Sequence, residues 1–186
     1  MTFDWKASAI EQLQSHWSDI LRPRLNGLTD DEYFWEPVPN CWTIHPRAEQ
    51  RSAFQAGKGD LVYDFELPEP DPVPVTTIAW RLGHIASGCL AVRAANHFGT
   101  PVGEAWWEDI EWPSTADDAL AYLDASYDQW VAGIKSLDDD AMAQPVGPSE
   151  GPWKDMPYLA LVLHINREVI HHGAEIALLR DLYRAR

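Results

Sequence analysis

HINREVIHHGAEIALLRDLY, residues His164 to Tyr183, is the stretch on which the reading of this chain turns. Its length and its apolar repeat predict a helix, from about Tyr158 to Tyr183. Yet three histidines and two glutamates crowd its first twelve residues. With Glu168 at zero and about 100° per residue, Leu161, His164, His172, Glu175, Leu179 and Leu182 fall within roughly 40° of it. A stripe that is leucine at both ends is expected to face inward. Buried His164, Glu168, His172 and Glu175 would cost several kcal/mol unless paired, hydrogen-bonded or bound to a cation.

Glu168 and His172 stand one turn apart and can converge on one ion, as can His164 and Glu168. A ladder of hydrogen-bonded His and Glu residues explains the same spacing without a metal. A third ligand from another helix would shift the balance, and His84 is the candidate. It lies at the margin of a second predicted helix, Thr76 to about Phe98, whose apolar stripe is Ile78, Leu82, Ile85, Cys89 and Val92. On its own side stand Gly88, Ala91 and Ala95, small enough for a neighbour to come close.

Two more helices are expected. The first, Asp4 to about Leu28, carries Ile10, Leu13, Trp17, Ile20, Leu21 and Leu25 at helical spacing and is expected to bend at Pro23. The third is capped by Ser114 or Thr115, with Leu120, Leu123, Tyr127, Trp130, Ile134 and Leu137 inward. Between the first two, residues 29–74 read as a long crossover carrying at most a small β-hairpin, packed by its aromatic rings. Trp35, Trp42, Trp106, Trp107, Trp112 and Trp153 lie outside the helical patterns and are expected to tie loops to the body or to wall a pocket. The expectation is an all-α four-helix bundle in a single domain spanning 1–186.

Composition excludes several classes of function. A formal net charge of −15 argues against a sequence-independent grip on nucleic acid. No apolar run reaches membrane-spanning length, and the opening residues lack the regions of a signal peptide, so a cytoplasmic protein is expected. Cys41 and Cys89 form neither a disulfide framework nor a thiolate zinc motif, and both are expected to be dispensable. Any metal would therefore sit on nitrogen and oxygen ligands.

LGHIASG on the second helix and REVIHHGAEIALLRDLY on the fourth together resemble the DinB-like superfamily of metal-binding four-helix bundles, which includes the mycothiol-dependent maleylpyruvate isomerases. The order of helices and the long crossover agree, and TDDEYFWEP resembles the segment that follows the first helix in that family. The resemblance implies a divalent metal, zinc first and nickel or another ion as alternatives, held by His84, Glu168 and His172. Alignment on LLR (Leu178 to Arg180) selects His172. Alignment on Gly173 selects His171, whose partner four residues back is Arg167, which cannot ligate a cation. The resemblance further implies a low-molecular-weight thiol such as mycothiol or bacillithiol and an electrophilic substrate, hence a thiol transferase or isomerase. Alternatives are a non-catalytic metal-binding or stress-response bundle and a metal-assisted hydrolase. No nucleic-acid or membrane partner is expected, and a homodimer is left open, as are the roles of His164 and Glu175.

Overall fold

Asp4 opens the first helix by accepting a hydrogen bond from the Ala7 amide through its carboxylate, 2.7 Å, which satisfies one of the donors a helix start leaves free. The computed structural model describes residues 4–186 and is mostly helical. The first helix runs through Trp5–His16, a wider π-type stretch Trp17–Leu21, and Arg22–Arg24. Helical bonding thus continues past Pro23. The Arg22 amide reaches back five residues to the Trp17 carbonyl, and this wider turn makes room for a proline that has no N–H and would crowd the preceding turn. It also shifts the register. Leu13, Trp17, Leu21 and Leu25 are buried, whereas Ile20, expected inward, is 56% exposed.

The second helix comprises Ile78–Gly83, a π-type stretch His84–Ala91, and Val92–Phe98. Thr77 caps it, accepting from the Trp80 amide at 3.2 Å. The third helix is Ala116–Ser136, capped by Thr115, and its expected face is inside: Leu120, Leu123, Tyr127, Trp130 and Ile134 are all buried. The fourth is Tyr158–Ala185. The second helix packs on the third and fourth, and the first packs on the fourth. Within the long helices, Gly133 and Gly173 allow the closest approaches. A Cβ at Gly133 would lie 2.0 Å from the Phe98 ring, and one at Gly173 would lie 2.9 Å from Leu21. Single helical turns, Asp30–Tyr33 and Asp139–Met142, flank these long runs. No helix among the described residues is long and apolar enough to cross a membrane.

The crossover carries more than a hairpin. Strands β1 (Ile44–Pro46), β2 (Phe54–Ala56) and β3 (Leu61–Phe65) form an antiparallel sheet in the order β1-β3-β2. Tyr63 pairs with Ile44 on one side and Ala56 on the other. Two of the strands have only three residues, too few for alternation to show in sequence. Long-range polar contacts hold them instead. Asp64 accepts from the Thr43 amide at 3.0 Å and contacts His45 Nε2 at 2.8 Å, while its carbonyl accepts from Trp80 Nε1 at 2.8 Å. Trp112 Nε1 likewise donates to the Ala56 carbonyl, 2.8 Å. Trp42 and Trp112 are buried as the structural reading expects, but Trp153 is 67% exposed.

The fourth helix turns a different face inward from the one its leucines suggest. Val162, Ile165, Val169 and Ile176 are fully buried, whereas Leu182 is 47% exposed and the polar stripe is half-buried. Four dehydrated polar groups in the core would be costly. With the helix rotated to bury its β-branched face, the stripe flanks the core, where the second helix meets it.

Candidate metal centre

The second helix presents His84 at the first residue of its π-type stretch, a helix distortion frequent at functional positions. The imidazole is stacked on Trp80, with centroids 5.5 Å apart and planes 7° from parallel. Trp80 in turn stacks on Tyr63 of β3, and Tyr63 on Trp112. A column of rings from the sheet therefore fixes the plane of His84. This is the way in which the crossover, silent in sequence, serves the site.

From the fourth helix, Glu168 and His172 meet it. His172 Nε2 lies 3.3 Å from Glu168 Oε2, and His84 Nε2 lies 3.7 Å from the same oxygen. One ligand atom from each of the three residues falls within 4.8 Å of the others. Donor atoms on a tetrahedral zinc, each about 2.0–2.1 Å from the ion, stand about 3.3 Å apart. Two imidazole nitrogens and a carboxylate oxygen at these separations fit a divalent cation.

The other nitrogen of His172 is occupied. Its Nδ1 lies 2.7 Å from Glu175 Oε2, so the Nδ1–H donates to the carboxylate and the Nε2 lone pair is left facing Glu168 and His84. Arg81 Nη1 also approaches that nitrogen at 3.0 Å. A ring nitrogen cannot both donate and accept, and the shorter contact with a carboxylate decides the tautomer. Arg81 Nε stands 3.0 Å from the same Glu175 oxygen but without an aligned hydrogen bond, so it serves as a charge partner. Glu175 therefore backs His172 from the far side of the ring and does not face Glu168 and His84. His164 contacts the opposite oxygen of Glu168, at 3.5 Å through Nδ1, and is likewise outside the trio.

His171 points away. Its side chain is 64% exposed and meets Glu175 at 3.4 Å and the His172 ring edge-to-face, not Glu168 or His84. It can join a second, outer group with His172 and Glu175, but that group lacks any residue of the second helix.

Charge within the site is strongly coupled. Burial disfavours protonation of His84, but the combined pull of Cys89 and Glu168 outweighs it and pushes the imidazole up to about 9. Glu168 is drawn down to about 2, first by the facing His84 and then, against the cost of burial, by His164 and His172. Burial holds His172 below its ordinary value despite Glu175.

The contact with Cys89, whose Sγ lies 3.4 Å from His84 Nε2, escaped the sequence reading. Five residues apart, the two would diverge on a regular α-helix, and the π-type turn brings them together. Glu175 was visible as part of the stripe, but its pairing with Nδ1 of His172 was not. Cys41 lies elsewhere, its thiol facing the Val38 carbonyl at 3.1 Å.

A family model described as the DinB superfamily matches residues 12–176. The chain belongs to the DinB superfamily. No curated protein and no solved structure matches it. The family match runs from within the first helix to Ile176 of the fourth, and so contains all three residues of the trio.

Proposed function

We propose that this DinB-superfamily protein is a four-helix metal-binding bundle in which His84, Glu168 and His172 hold one divalent ion, zinc first, and that it acts as a thiol-using transferase or isomerase. The observation that carries the reading is that one ligand atom each of His84, Glu168 and His172 converges within 4.8 Å, with Glu168 Oε2 facing both Nε2 atoms at 3.7 and 3.3 Å and His172 held in the matching tautomer by Glu175 at 2.7 Å. A carboxylate on the far nitrogen of a ligand imidazole is the usual support of such sites.

When bound, a divalent ion with three protein ligands and an open position lowers the pKa of a coordinated thiol or water, providing a nucleophile near neutral pH. The chain's own residues do the rest. Trp80 fixes the plane of His84, Glu175 keeps the proton on His172 Nδ1, and Glu168 supplies the single negative charge among the three donors. His164 and Arg167 stand on the outer oxygen of Glu168, at 3.5 and 3.8 Å, where an incoming polar group would meet them. A low-molecular-weight thiol of the mycothiol or bacillithiol kind, with an electrophilic partner, is the substrate pair the family resemblance favours.

Structural zinc sites are usually closed by four protein ligands. Here Glu175 faces the wrong nitrogen of His172, and His164 the wrong oxygen of Glu168, which favours an open, catalytic site over a non-catalytic bundle. Metal-assisted hydrolysis would need a free base beside the ion; of the two candidates, Glu175 is already committed to His172 and His171 is 64% exposed outside the trio.

The test is metal stoichiometry by elemental analysis on protein purified without chelator and reloaded with zinc. One ion per chain is expected, with loss in His84→Ala, Glu168→Gln and His172→Ala but not in His16→Ala. Zinc-loaded protein is then assayed for turnover of electrophiles with and without each thiol. A chain that takes up no metal and melts identically with and without chelator sinks the metal reading. Metal uptake with no thiol-dependent turnover sinks the thiol reading alone.

A further inference from the structure

One turn from Glu168, the fourth helix borders a cavity of about 400 Å³ that is framed by Arg93, Glu150, Trp153, Met156, Leu161, His164 and Arg167, among others. This is the size of a pocket for a small organic molecule. Its walls divide by chemistry. Leu161 and Val146 are buried and apolar, while Trp153 and Met156, from the segment between the third and fourth helices, are 67% and 47% exposed. Two large apolar side chains turned to solvent at the mouth of one cavity are a surface that a ligand would cover.

The polar side carries two guanidinium groups and one carboxylate. Glu150 is already engaged: its Oε1 lies 2.9 Å from Nε2 of His97, whose other nitrogen lies 3.0 Å from the Tyr158 hydroxyl. Arg93 reaches the second Glu150 oxygen only at 3.7 Å and donates to the Gly88 carbonyl. Arg167 donates to His164 Nδ1 at 2.7 Å and reaches the outer oxygen of Glu168 only at 3.8 Å, its side chain 69% exposed. The cavity lining thus carries two guanidinium groups to one carboxylate, each guanidinium held to its nearest carboxylate only at 3.7–3.8 Å, on a chain whose formal net charge is −15. Placing two arginines here, against that background, selects an anion.

We infer that this cavity binds a small organic carboxylate with an apolar body, its carboxylate between Arg93 and Arg167 and its body against Leu161, Trp153 and Met156. His164 both lines the cavity and contacts Glu168 at 3.5 Å, so the bound molecule lies beside the metal centre. Its identification as the electrophilic substrate rests on the function proposed above, whereas the binding of the carboxylate does not.

The probe is 3-phenylpropanoate, titrated into the full chain by calorimetry, once with chelator and once zinc-loaded. Its neutral amide and the corresponding amine serve as comparisons. The acid is expected to bind at least about tenfold more tightly than the amide, as one charge-assisted contact is worth that much. Arg93→Met and Arg167→Met should each weaken it by about tenfold or more, and Arg22→Met, whose arginine pairs with Asp124 elsewhere, should not. Should Arg93→Met fold poorly through loss of its bond to Gly88, the exposed Arg167 keeps the test alive. Equal affinity for acid and amide, tightest binding of the amine, or unchanged affinity in a folded Arg167→Met protein would overturn the proposal. Carboxylate binding in the chelated protein sustains it even if no metal is taken up, so the two readings fail separately.

Discussion

At the scale of single residues, the site is a set of shared protons. His84 and Glu168 are displaced in opposite directions because, against the cost of burial, Cys89 and Glu168 hold the proton on His84 while His84 stabilises the charge of Glu168. Glu168, drawn from 4.5 to about 2, contributes stability that is complete above its ordinary value and is lost as pH falls towards 2. His84, raised from 6.5 to about 9, contributes stability that is complete below 6.5 and is lost as pH rises through 9. Metal-free protein should therefore gain most from the pair between about pH 4.5 and 6.5, and its melting temperature with chelator should fall on either side. Glu168→Gln should remove the acid limb and reduce the alkaline one, and a profile identical to that of the parent chain would refute the coupling. Since an ion must displace the proton that His84 retains up to about 9, zinc affinity should rise with pH from 6 to 9, by at most about tenfold per unit for a single proton. Glu175→Ala should weaken zinc binding by about 10- to 100-fold without abolishing it, the usual effect of losing a carboxylate behind a ligand histidine. Competition against a chromophoric chelator measures both.

Elements carry these residues to one another, and glycines set the distances. The second helix widens to π-type bonding at His84, which brings Cys89 under the imidazole. Cys89→Ser should therefore alter the pH dependence of zinc uptake, whereas Cys41→Ser should leave it unchanged, and identical curves for the two would exclude a role for the thiol. Helix spacing has its own test. The Phe98 ring occupies the space of a Cβ at Gly133, 2.0 Å away, so Gly133→Ala must push the second and third helices apart. A loss of about 1–3 kcal/mol is expected, as for other overpacked cores, against the gain in helix propensity that alanine gives at an unhindered position. Urea unfolding reads the difference, and an alanine variant as stable as the parent would show that the helices are free to separate.

Across the whole molecule, two stretches that resembled the family separately turn out to be one structural unit. Arg180, from LLR, donates to both oxygens of Glu32, from TDDEYFWEP, at 2.7 and 3.0 Å, and also to the Asn26 carbonyl at 3.2 Å. The side chains are 1% and 4% exposed. Breaking this pair from one side leaves a buried uncompensated charge, so Glu32→Gln or Arg180→Met should each cost about 3–5 kcal/mol. The double substitution should recover part of that loss. Additive losses in denaturant titrations would mean that the two residues act independently.

The sequence alone determined four helical runs, a cap at Ser114 or Thr115 and the Glu168–His172 pair, because helical period and i, i+4 spacing are local properties that a single chain records, while the family resemblance supplied the trio with His84. The sequence also placed Leu13, Ile85 and Trp130 in the core. It misplaced Ile20 and the inner face of the fourth helix because a widened turn or a rotated helix changes which side chains meet the core without changing their order. Strands of three residues left no period to read, and the sheet exists through contacts such as Asp64 with Thr43 and Trp80 that join distant segments. Glu168 was thus legible as a metal-capable group four residues before His172. That His84 of another helix comes within 3.7 Å of it, and that Glu175 turns to the back of His172, depends on how two helices pack against each other, and that packing is settled only when the core closes.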